Sequence, residues 1–125
     1  MSYKKIYFDK GKFFIRILKE KDINKNYLNW FKNKNNTKFI VNSNFNDLSD
    51  LKEYYKYQIK KKSIFFGIFV KKTNKHIGNI KFEKINTVTK TASVGIFLGN
   101  TSYQNKSLGS KSLITACDQI YRKLK

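Results

Sequence analysis

From Thr91 onward apolar side chains occupy every second position. Ala92, Val94, Ile96 and Leu98 predict a strand over 91–98 with one covered face. Beyond the polar stretch that begins at Asn100, the period changes. Leu113, Ala116, Cys117, Ile120, Tyr121 and Leu124 recur at helical spacing and predict a helix near 107–123 with these residues on its inner face. Near the start, Phe13, Ile15 and Ile17 alternate in a strand over 13–18. Asp22 is placed to cap a helix carrying Ile23, Tyr27, Trp30 and Phe31, and Asp47 to cap a second with Leu48, Leu51, Tyr55 and Gln58 or Ile59 inside. That second helix ends near Lys60-Lys61-Lys62, where cations suit the negative end of the dipole. Residues 33–36 and Asn44-Phe45-Asn46 are polar breaks, with Phe39-Ile40-Val41 an apolar patch between them.

Residues 63–70 are apolar on both faces, which predicts a central strand over 63–71. Lys71-Lys72-Thr73-Asn74-Lys75 reads as a hairpin turn, with Asn74 suited to a left-handed backbone. A partner strand over 77–85 and another turn at 86–90 lead into the strand at 91–98. The expected order is strand, two helices, three antiparallel strands, helix. This is an α+β chain: a twisted antiparallel sheet of four main strands with helices on both faces.

At 125 residues, 40% of them hydrophobic, the chain reads as one globular domain spanning 1–125. No apolar run approaches the roughly 20 residues of a membrane span, and no signal-like apolar segment precedes Asp9. The single Cys117 allows no internal disulfide and is expected to be a buried, inert thiol. The expected setting is the cytoplasm. A net charge of +19 suggests polyanion binding as a side property. Yet only Arg16 and Arg122 are arginines, and arginine is the usual reader of bases. The abundance of Lys, Asn, Ile, Phe and Tyr is also what A/T-biased codons produce. With one histidine and one cysteine no metal-ligand cluster is expected. His76, beside the hairpin turn, is expected to be an exposed strand-end residue.

A strand followed by small residues and a helix N-terminus is a ready phosphate site, because the first N–H groups of a helix lack internal partners. Gln104-Asn105-Lys106-Ser107-Leu108-Gly109 resembles the Gln/Arg-x-x-Gly-x-Gly/Ala motif of the GNAT acetyltransferase superfamily, which holds the pyrophosphate of acetyl-CoA. Val94-Gly95-Ile96-Phe97-Leu98-Gly99 is similar to that family's fourth strand, whose backbone binds the pantetheine arm. The resemblance implies acetyl-CoA as cosubstrate, held by Phe97, Leu98, Gly99, Gln104, Asn105, Lys106, Ser107, Leu108, Gly109 and Ser110. Lys106 and Lys111 flank this loop. Ser107 stands where the motif has its first glycine. If that position needs φ > 0, the added Cβ costs about 1–2 kcal/mol.

The segments His76-Ile77-Gly78-Asn79-Ile80 and Gly95-Ile96-Phe97-Leu98-Gly99 look closest to the branch that acetylates amines of amino sugars, polyamines or protein N-termini. The implied reaction is direct transfer of the acetyl group to a primary amine, with no covalent enzyme intermediate. Glu83 is the candidate to help remove the amine proton; its plainer reading is a solvated carboxylate beside Lys81 and Lys84. Many relatives carry an acid near the start of the fourth strand, where this chain has Ser93. Trp30, Phe31, Tyr54 and Tyr55 either line the acceptor pocket or pack in the core. Family members continue with further strands, so the chain looks truncated after the CoA-binding helix. The resemblance then implies an exposed sheet edge prone to self-association and a poor catalyst. The alternative from another class is an inactive GNAT-fold remnant that serves as a basic polyanion-binding module.

Overall fold

Five antiparallel strands lie side by side in chain order: β1 (Ile6–Phe8), β2 (Phe13–Ile17), β3 (Ile64–Val70), β4 (Lys75–Asn86) and β5 (Thr91–Phe97). A computed structural model describes residues 4–32, 45, 47–104 and 106–124. Among these residues three helices complete it: α1 (Lys25–Lys32), α2 (Leu48–Lys60) and α3 (Lys106–Leu124), with short 3-10 turns at Glu20–Asp22 and Thr101–Tyr103. The four predicted strands and three predicted helices are all present, within about two residues at each end. The short β1 is additional; three residues are too few to show a period. Phe39-Ile40-Val41 and the polar break at 33–36 lie outside the described residues.

Register explains which side chains go where. Phe14 pairs Phe69 and Ile15 pairs Ile68, so neighbouring positions face opposite sides of the sheet. On one face Ile15, Phe66, Ile68, Ile80 and Phe82 pack with Leu108, Ala116 and Ile120 of α3. On the other, Phe14, Leu18, Phe65 and Phe69 pack against Tyr54 and Tyr55 of α2, beside a cluster of Ile23, Tyr27, Leu28, Trp30 and Leu51. The Asp47 cap is present, its Oδ1 accepting from the Asp50 N–H at 3.0 Å. Asn74 has φ +57°, as the turn requires.

Three expectations are corrected and one open choice is settled. Asp22 does not cap α1; Asn24 does, its Oδ1 accepting from the Tyr27 N–H at 3.3 Å. The Asp22 carboxylate instead pairs with Arg16 through two bonds of 2.8 and 2.9 Å and accepts from the Lys19 N–H at 2.8 Å. A buried guanidinium on β2 needs a carboxylate more than a helix needs one cap. Cys117 is exposed, as is Tyr121, because α3 meets the sheet through Leu108, Ala116 and Ile120, about a third of its circumference. Of Gln58 and Ile59, only Gln58 is buried, bonded to the Ser63 hydroxyl at 2.8 Å. The predicted covered face of β5 is open: Val94 and Ile96 remain 44% and 39% exposed, since among the described residues β5 has β4 as its only strand neighbour.

Candidate active site

Strand β5 runs straight into the loop that the sequence marks for phosphate. The Asn100 N–H donates to Ile77 O at 3.1 Å, extending contact with β4 past Gly99. Asn100 Oδ1 then accepts from the Ser102 N–H at 3.0 Å, which starts the 3-10 turn. Gln104 Nε2 donates back to Leu98 O, 2.6 Å away, pulling the loop tight against the strand end. Helix α3 starts at Lys106, so its first N–H groups lie next to this closed turn. Ser107 sits in the first turn with right-handed helical geometry, so the strain expected at this position is absent. A Cβ on Gly109 would meet Leu98 Cδ1 at 3.7 Å and Ile96 Cδ1 at 3.8 Å. These are ordinary contact distances, so a methyl group fits there and only a larger side chain would press α3 away from Leu98 and Ile96. Lys111 is tied to Asp9 at 2.9 Å. Asn105 lies outside the described residues.

Around the corner, on the α1–α2 face, a cavity of about 520 Å³ opens between the helices and the β4–β5 edge. Tyr27, Phe31, Tyr54 and Phe97 form aromatic walls, and Glu83 and Ser93 are among its polar lining. The structure therefore brings Phe97 and Glu83 to one space, with Ser93 directly opposite Glu83 in the strand register. Glu83 is not a freely solvated strand-end carboxylate: it is 26% exposed and paired with Lys61 at 3.5 Å and Lys81 at 3.8 Å. A register shift follows it, with Lys84 at φ +55°. Such bulges re-aim side chains at functional edges. Lys81 Nζ also donates to Tyr54 Oη at 2.7 Å. Of the four aromatics named from sequence, Phe31 and Tyr54 line the cavity, whereas Trp30 is buried in the core and Tyr55 packs against it.

Sequence reasoning missed a polar network behind this cavity. His76 is buried, contrary to expectation, because Tyr27, Trp30 and Phe69 enclose its ring at centroid distances of 5.5, 4.7 and 4.9 Å. Its Nε2 lies 2.6 Å from Asn79 Oδ1. Burial pushes the Tyr27 phenol up and the His76 imidazolium down to about 4, against the opposing pull of Asn79 and Asp22. Since His76 is harder to protonate folded than unfolded, its contribution is complete above the unfolded pKa of about 6.5. It is lost as pH falls towards 4, by up to about 3 kcal/mol. Urea titrations at pH 7 and pH 4 are expected to show this loss in the natural chain and a much smaller one in His76→Gln. A larger cavity of about 770 Å³ near Arg16 and Lys75 shares His76 but contains none of the phosphate-loop residues.

A five-stranded antiparallel sheet with two helices on one face, and a helix entered from the β5 end on the other, is the frame of a GNAT acyltransferase. Residues 12–125 match the acetyltransferase (GNAT) domain, and the chain belongs to that family. Solved structures share the fold at low identity. Ribosomal-protein-S5-alanine acetyltransferase from Vibrio fischeri is 16% identical with a TM-score of 0.74, the match covering 96% of this chain and 68% of that one. A ribosomal L7/L12 alpha-N-protein acetyltransferase in complex with coenzyme A is 17% identical with a TM-score of 0.80, covering 96% and 69%. Spermidine N-acetyltransferase from Vibrio cholerae, in complex with CoA and spermine, is 20% identical with a TM-score of 0.62, covering 76% and 55%. In each case part of the relative extends beyond the match. No curated protein matches the chain in sequence. Among the described residues no helix is long and apolar enough to cross a membrane, and no three His, Cys, Asp or Glu side chains gather as metal ligands do.

Proposed function

We propose that this chain transfers the acetyl group of acetyl-CoA to a primary amine of a small molecule or of a protein N-terminus. The observation that carries the reading is that two features meet at the end of β5. The α3 N-terminus lies beside the Gln104–Leu98 clasp, and Phe97 lines the aromatic cavity that holds Glu83. The residues present fit acetyl-CoA. Helix N–H groups at 106–109 suit the pyrophosphate. Phe97, at the end of β5, and the two residues after it offer backbone hydrogen-bonding groups at the edge of the sheet, the Leu98 carbonyl being taken by Gln104. Acetyl-CoA supplies the activated acyl group. The chain holds the amine among Tyr27, Phe31, Tyr54 and Phe97, limits its water, and presents the Glu83 carboxylate to take its proton. Placing two reactants together accounts for much of the rate in such reactions, with effective molarities of about 10⁵ M in favourable cases. Ser93 has no basicity of its own to offer, so Glu83 is the one carboxylate placed for the task among the described residues.

Calorimetry with CoA tests the first half. Gly109→Ala, whose Cβ meets only ordinary contacts, is expected to raise stability by about 0.5–1 kcal/mol through helix propensity. Gly109→Val pushes α3 off Leu98 and Ile96 and is expected to weaken CoA by about tenfold or more, with far-UV circular dichroism unchanged. The rival reading, a basic binding module on this fold, has a specific motive in the +19 charge. It predicts no heat with CoA and an oligonucleotide affinity that falls steeply between two salt concentrations and ignores Gly109.

A further inference from the structure

We infer that the acceptor bears its amine on an anionic body and is not a polycation; this rests on the acetyltransferase reading above. Among the described residues Glu83 is the only carboxylate lining the 520 Å³ cavity, and it already meets two ammonium groups, Lys61 and Lys81. These three groups sum to a formal +1. Residues 33–44 and Asn46, which lie outside the described structure, contain no Asp or Glu. Of the chain's eight acidic side chains, Asp22 is bound twice to Arg16, and Asp9 is tied to Lys111.

A polyamine entering this space carries one amine to the reaction and brings at least one more ammonium with it. Each further ammonium loses water and needs a carboxylate in exchange. Here it meets lysines. An amine whose neighbouring groups are carboxylates or phosphates gains where the polyamine loses. Lys81 lines the cavity, Lys61 reaches its Glu83 from the end of α2, and the +19 field draws the anion in from solution. Glu83 remains for the single amine, and the aromatic walls accept that cation before it loses its proton. An acidic polypeptide N-terminus and a nucleotide-linked amino sugar both present this chemistry.

Acetyl-CoA consumption and equilibrium binding are measured with four amines: a peptide with acidic residues after a free N-terminal serine, its lysine-substituted counterpart, a nucleotide-linked amino sugar, and spermidine. The acidic peptide or the anionic sugar is expected to exceed both the basic peptide and spermidine by about tenfold or more in kcat/KM. Which of the two leads identifies the source of the anion. Lys61→Glu is expected to reduce the preference by about tenfold. The same charge change at Lys123, on α3 across the sheet, should leave the ratio within about twofold, which separates the cavity from the bulk charge. A chain that acetylates none of the four defeats the transferase reading, and the ratio of dissociation constants then decides the acceptor question. Equal or better use, or binding, of spermidine overturns the inference, as does a preference that Lys61→Glu leaves intact.

Discussion

Asp22→Ala is expected to lower the unfolding free energy by about 3–5 kcal/mol, the usual cost of leaving a buried charge without its partner. Arg16 has side-chain exposure of 10% and Asp22 of 8%, and the guanidinium lies 4.2 Å above the Phe69 ring. With the carboxylate gone, the two Arg16 nitrogens that it bound lose those hydrogen bonds, and water reaches them poorly. Urea denaturation at pH 7 measures the loss. A change under 1 kcal/mol would mean that solvent already screens the pair. Arg16→Met combined with Asp22→Leu should recover most of the deficit, because packed apolar side chains replace such pairs at little cost. The acid limb has a definite sign. Burial works to raise the Asp22 pKa, but hydrogen bonds from Arg16 and the Lys19 N–H outweigh it, and the net shift is downward. The pair therefore contributes fully above the ordinary carboxylate range and is lost as pH falls below it.

Gly99→Val is the second large effect, with an expected loss of about 3 kcal/mol or more and an accompanying loss of CoA affinity. A Cβ at Gly99 would overlap the indole ring of Trp30. Trp30 is 4% exposed and held by Tyr27, His76 and Phe97, so it has little room to yield. Overpacking of this kind commonly costs about 1–3 kcal/mol, and more where the neighbour is rigid. Since Gly99 lies between β5 and the turn that carries Gln104, moving it also moves the Leu98 carbonyl that anchors Gln104. Pairing Gly99→Val with Trp30→Phe should restore part of the stability. No rescue by the smaller ring would place the defect in the strand itself rather than in this contact.

Periodicity located the strands and helices because a side chain's direction along a strand or helix follows from its neighbours in sequence. The Asp47 cap, the left-handed Asn74 and the strand–loop–helix run from Val94 to Gly109 are local in this sense, so they were legible before any fold was known. The family followed from the same run. Departures began wherever a side chain's partner lay on another element. Asp22 has the form of a cap, yet Arg16 claims it once β2 and the 3-10 turn come together. His76 reads as a strand-end residue until Tyr27 and Trp30, almost fifty positions earlier, close over it.

Glu83 shows the same limit at the candidate site. The sequence placed it on a strand near lysines but not which lysine would hold it. Lys81 lies two positions away, whereas Lys61 arrives from the end of α2. The aromatic cavity is likewise assembled from α1, α2, β3, β4 and β5, so no stretch of sequence contains it. By itself the sequence determined the elements, their order, the strand–loop–helix run and the scarcity of carboxylates, all properties of composition or near neighbours. Tertiary structure alone decided burial, ion-pair partners and the charge of the cavity. Those depend on distances through space, which the chain sets only when distant elements pack.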